Sequence, residues 1–168
     1  RSLSPRCSAC SGSNEIVTID ERGGMFGPGF TPDGTTLSEV EFFLELGDAT
    51  DTVRVYATEG NDSIAVGQNG LSLNSDGDVD ATLVPNPMGM EIFALGGADF
   101  VNARGQFGAG LHYLGLVTID GAEGSDTLLR GSTQNDTIIG GPGNDIVEGN
   151  GGNDILDAGA GNDSINAG

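Results

Sequence analysis

Apolar and polar residues alternate with the two-residue period of half-buried strands through the first two thirds of this 168-residue chain. The alternation predicts strands at 15–19, 37–46, 52–57, 63–66, 71–73, 80–84, 90–95, 100–103 and 113–119. No segment carries an apolar stripe of period 3.6 with helix caps, so no helix is expected. Residues 1–14 read as a disordered lead-in, and the Gly/Pro-rich stretch 23–34 as a long loop. Segments 42–53, 91–101 and 115–128 share one plan: a strand, a Gly/Asp turn, then an aspartate followed two places on by an aliphatic. TEGNDSIAV (58–66) carries the turn and second half of that plan. Irregular spacing between these units predicts an irregular parallel β-solenoid over 15–119, with a small antiparallel sandwich as the alternative.

From Gly121 the pattern becomes regular. Asp126, Asp136, Asp145, Asp154 and Asp163 follow one another at steps of ten, nine, nine and nine residues. Each closes a glycine-bearing hexapeptide and precedes a short triplet, clearest in GGPGND-IVE (140–148), GNGGND-ILD (149–157) and AGAGND-SIN (158–166). A triplet is long enough only for a small strand. Its central residue is expected to face inward, giving a dry core of Leu128, Ile138, Val147, Leu156 and Ile165. Two such units make a coil of eighteen residues, so every second loop lies on the same side. Asp126, Asp145 and Asp163 then form one column, and Asp136 with Asp154 the other.

Neighbouring coils of a parallel sheet lie about 4.8 Å apart, where two carboxylates repel by roughly 0.8 kcal/mol even in water. A cation between successive loops removes that repulsion. The available ligands are all oxygen, which argues against zinc or copper, and a carbonyl-rich loop suits Ca²⁺ better than the rigid octahedron of Mg²⁺. The candidate ligands are the five aspartates together with the loop glycines, whose carbonyls are uncovered: Gly121, Gly124, Gly131, Gly140, Gly141, Gly143, Gly149, Gly151, Gly152, Gly159 and Gly161. Asp51, Asp62 and Asp99 lack the full glycine loop and read as turn residues.

Four Asn-Asp dipeptides in register (135–136, 144–145, 153–154, 162–163) complete the pattern. Residues 121–166 resemble the RTX, or hemolysin-type, calcium-binding nonapeptide family, whose signature is G-G-x-G-x-D-x-U-x. The resemblance implies a parallel β-roll that folds on extracellular calcium, with each ion held between stacked loops by position-six aspartates and loop carbonyls. Matched here, the pairs are 126 with 145, 136 with 154 and 145 with 163, about three internal sites. Departures from the signature are Ala122 and Glu123 in the first loop, the missing second and fourth glycines of 131–136, Ala158, and Arg130 as an inserted residue.

Composition narrows the function further. Twenty-five acidic residues face six arginines and no lysine, for a net charge of −19. Such a surface attracts cations and repels nucleic acid and anionic lipid. No apolar run reaches the roughly 18 residues of a membrane span. Cys7 and Cys10 form a lone CxxC without a second pair, and His112 is the single histidine. HExxH is therefore impossible, and no GxSxG elbow occurs. The acidic run 76–80 opens like an EF-hand, but Ala81 and Pro87 stand where its glycine and glutamate belong.

Taken together, the chain is expected to be all-β, a parallel β-roll or β-solenoid, regular in the C-terminal third and irregular before it. The expected divisions are 1–14, 15–119 and 120–168, with the last stacked continuously on the preceding part. The expected function is that of a calcium-binding structural or adhesive module of a secreted protein, whose outer partner is a cell surface, matrix or polysaccharide. The alternative is a fragment of a polysaccharide-modifying enzyme whose groove would combine clustered acids with Arg54 or Arg104.

Overall fold

In a computed structural model of the chain, the described residues are 14, 16–22, 42–46, 51–73, 79–84 and 89–168. The cysteines, the loop expected at 23–34, the start of the strand expected at 37–46 and residues 76–78 of the acidic run lie outside them. Among the described residues there is no helix. Strands β1 (Ile16–Asp20), β3 (Thr52–Tyr56), β7 (Gly89–Phe93), β10 (Leu116–Asp120), β13 (Thr137–Ile139) and β15 (Ile155–Asp157) stand in that order as one parallel sheet. The other large sheet begins with β16 (Ser164–Asn166), β14 (Ile146–Glu148), β12 (Leu128–Arg130), β9 (Phe100–Asn102) and β4 (Ser63–Gly67). It continues through β5 (Gly70–Ser72) and β6 (Ala81–Val84) to β2 (Phe42–Glu45). A two-residue pairing of β8 (Gly96–Gly97) with β11 (Glu123–Gly124) joins successive loops.

The protein is an all-β parallel β-roll. Every strand pairing is parallel except β4 with β5 and β5 with β6, a hairpin inserted where the chain leaves the regular winding. Beside it, among the described residues, lies a single antiparallel bridge, Gly67 with His112; both long stacks are parallel, so the sandwich alternative does not hold.

Period-two patterning sets the core. On one sheet Ile19, Val55, Ile92, Ile119, Ile138 and Leu156 stack in register. On the other, Ile64, Val101, Leu129, Val147 and Ile165 do the same. Most of these side chains are fully buried, each stabilising the fold by about 1.5–3 kcal/mol relative to exposure. Ile165, on the edge strand β16, stays 54% exposed.

One core position differs from expectation. Leu129, not Leu128, stacks between Val101 and Val147. The N–H groups of Thr127 and Leu128 both point at the carbonyl of Asp99, at 2.8 and 3.3 Å. The surplus residue of this unit is therefore absorbed as a bulge directly after Asp126, before the strand rather than after it.

Outward rows are tied by cross-strand pairs. Arg54 Nε donates to Glu91 at 2.6 Å, and Arg130 Nε to Glu148 at 2.6 Å. Tyr56 and Phe93 stack with ring centroids 4.9 Å apart, and Arg22 caps Tyr56.

Candidate metal centre

The winding has two edges where loops cross between the sheets. The first edge carries loops 57–62, 94–99, 121–126, 140–145 and 158–163, and the second carries 131–136 and 149–154. Loops stack by a repeated set of hydrogen bonds. The first-position N–H donates to the carbonyl just before the next coil's loop: Ala57 to Phe93, Ala94 to Asp120, Gly121 to Ile139, Gly140 to Asp157. The fifth-position side chain accepts the corresponding N–H of the next coil, as Asn144 Oδ1 does from Asn162 at 2.8 Å and Asn135 Oδ1 from Asn153 at 2.7 Å. That bond explains the asparagines before Asp136 and Asp145; Ser125 Oγ takes the same place before Asp126.

The aspartates form a ladder. Asp126 N donates to Asp145 Oδ1 at 2.9 Å, and Asp145 N to Asp163 Oδ1 at 3.0 Å. On the second edge, Val117 N donates to Asp136 Oδ1 and Asp136 N to Asp154 Oδ1, each at 2.9 Å. The two columns are thus 126–145–163 and 136–154. The first column also extends upward, because Asp62 N donates to Asp99 Oδ1 (2.8 Å) and Asp99 N to Asp126 Oδ1 (3.0 Å). Asp62 and Asp99, which read as turn residues for want of the full glycine loop, belong to the same file.

One carboxylate oxygen of each rung is used by a neighbouring N–H. The other is buried without a hydrogen-bond partner at Asp99, Asp126, Asp145 and Asp154. An unpaired buried oxygen on an anion is costly. Burial pushes the Asp99 carboxyl up to about 7, the Asp126 and Asp62 charges adding to the shift. Burial likewise raises Asp126, with Asp145 adding, and Asp136, with Asp154 adding.

The glycines have a steric reason. A Cβ on Gly124, Gly143 or Gly161 would sit on the carbonyl of the fourth residue in the coil above, and one on Gly152 would sit on that of Gln134. Cβ atoms on Gly141 and Gly159 would meet the carbonyls of Ala122 and Gly141. On Gly121, Gly131, Gly140 and Gly149 they would meet the loop's own aspartate. Gly151 is different: nothing lies nearer than 3.9 Å.

This repeated cradle is decided by comparison with known families: four copies of a repeat model match residues 130–165. Those residues are RTX calcium-binding nonapeptide repeats. No curated protein and no solved structure matches the chain. The RTX match includes Asp136, Asp145, Asp154 and Asp163 and leaves out Asp126. RTX repeats bind calcium, and the donors present fit that ion, since orphaned carboxylate oxygens and loop carbonyls form an all-oxygen set. Loop 131–136 departs from the other RTX loops. Ser132 stands at its second position and closes it internally, with Ser132 N at 2.6 Å and Oγ at 3.1 Å from Asp136 Oδ2. Thr58 closes loop 57–62 on Asp62 in the same way, N at 3.0 Å and Oγ1 at 2.9 Å from Oδ2.

Proposed function

We propose that the chain is a secreted structural or adhesive module that folds on calcium held between stacked loops. Asp126 with Asp145, Asp145 with Asp163 and Asp136 with Asp154 would hold the ions, about three in all, helped by the carbonyls of the loop glycines. The observation that carries this reading is the set of buried, unpartnered carboxylate oxygens along the ladder. Bound calcium supplies the positive charge that lets these anions coexist. The chain's own contribution is to place them about 4.8 Å apart on a stack too poor in aromatics to rest on a conventional core. At low calcium a net charge of −19 keeps the chain expanded by self-repulsion. Binding to the folded state alone then supplies folding free energy.

Secretion is supported by the usual occurrence of RTX repeats in exported proteins. A structural rather than catalytic role is supported by the typically structural use of RTX repeats. A far-UV circular dichroism titration tests the reading. Calcium should raise the β-signal in a saturable way, and magnesium at the same concentration should not. An unchanged spectrum from chelator to millimolar calcium would end it.

A further inference from the structure

The aspartate file on the first edge does not begin where the repeats begin. Loop 94–99, ALGGAD, lies outside the matched residues and has no glycine at its first two positions. Its backbone nonetheless follows the repeat. Leu95 adopts φ 74°, as Ala122 (62°), Gly141 (108°) and Gly159 (84°) do at the same position. A leucine is costly there, so the surrounding stack imposes this conformation. Gly97 stands in the fourth-position file, against the carbonyl of Gly60 on one side and offering its own carbonyl to Gly124 on the other. Glu123 N donates to the Leu95 carbonyl at 2.9 Å, and β8 pairs with β11 in parallel.

Asp99 is fully buried and Asp126 is 1% exposed. Each spends Oδ1 on the N–H of the coil above, and each leaves Oδ2 enclosed and unpartnered. The pair thus repeats what is found between Asp126 and Asp145. One coil further up the relation ends, because Thr58 occupies both oxygens of Asp62.

We infer that loops 94–99 and 121–126 form an additional calcium site, with Asp99 and Asp126 as its carboxylate ligands. This rests on the reading of the RTX loops as calcium sites and extends it by one coil beyond them. Asp126 becomes a shared ligand, as Asp145 is.

Equilibrium dialysis of calcium against the full chain tests the site. Relative to the unmutated chain, Asp99→Asn is expected to lose one ion and Asp126→Asn two. An Asp99→Asn count equal to that of the unmutated chain, or the loss of only one ion in Asp126→Asn, overturns the inference while leaving the repeat sites intact. An unmutated chain that binds no calcium overturns both readings. Should Asp99→Asn not fold, calcium-edge anomalous density from unmutated crystals decides. A peak between Asp99 and Asp126 supports the site, and peaks confined to the later loops refute it.

Discussion

The two edges of the roll are built from the same chain yet obey different rules. Along the first edge, from 57–62 to 158–163, every loop keeps its six-residue plan and its Gly-x-Asp ending. Along the second, the crossings shrink from 68–88, which contains the hairpin, through 103–115 to the six residues of 131–136 and 149–154. Successive aspartates of the first edge are consequently 37 and 27 residues apart down to Asp126 and then 19 and 18, the bulge after Asp126 adding one, while remaining neighbours in space. Insertions are tolerated where loops do not have to nest. Where a fourth-position glycine must lie against the carbonyl above it, the length is fixed.

Breaking the first edge at its centre should have the largest effect. Asp145→Ala removes a carboxylate shared by two proposed sites, and Asp163→Ala one that serves a single site. At calcium a hundredfold above the dissociation constant, each site contributes about 2.7 kcal/mol. The expected losses are therefore about 5 and about 2.7 kcal/mol, measured by denaturant unfolding in calcium. Equal losses would contradict sharing.

Nesting is tested next by a pair of alanines. Gly143→Ala forces a Cβ onto the Gly124 carbonyl and should cost about 1–3 kcal/mol or more. Gly151→Ala meets nothing nearer than 3.9 Å and should stay within about 0.5 kcal/mol. Thermal melts of the two variants side by side check this.

Ser132→Ala sharpens the contrast between loops closed by a hydroxyl and loops left open. At saturating calcium it should lose about 1–2 kcal/mol, since it removes hydrogen bonds to a charged carboxylate. The backbone bond from residue 132 to Asp136 would remain.

The last expected effect is a slope. Glu21 sits at the head of the first edge, its N–H on the Tyr56 carbonyl. Burial pushes its carboxyl up to about 7, from an ordinary 4.5, with the Asp62 and Asp80 charges adding. A raised folded-state value means that the stability this group contributes is present below pH about 4.5 and is lost as pH rises through about 7. At saturating calcium, Glu21→Gln should flatten that decline by at most about 1.4 kcal/mol per pH unit. A variant whose pH profile overlays that of the unmutated chain would remove Glu21 from the account.

Much of this architecture was legible in the sequence. Alternation located the described strands to within a few residues, and eighteen residues per coil placed Asp126, Asp145 and Asp163 in one column. What stayed hidden has a physical cause in each case. The bulge that makes Leu129 the core residue depends on two N–H groups sharing the Asp99 carbonyl, a choice that Thr-Leu-Leu-Arg does not announce. Asp62 and Asp99 share the strand, turn and aspartate plan with Asp126 in the sequence, but without the full glycine loop they read as turn residues. A shorter signal was available: Gly60-Asn61-Asp62, Gly97-Ala98-Asp99, Gly124-Ser125-Asp126, Gly143-Asn144-Asp145 and Gly161-Asn162-Asp163 all read Gly-x-Asp. The closure of Asp136 by Ser132 could be anticipated only once the loop's turn was known, because a serine serves equally well outside it.

Thermal unfolding of the intact chain, followed by circular dichroism in excess chelator and again after calcium is restored, addresses the central claim most directly. The account predicts little cooperative β-structure without calcium, a sharp transition at much higher temperature with it, and no such recovery with magnesium. A melt that is equally cooperative and centred at the same temperature in chelator would show that the buried carboxylates coexist unaided.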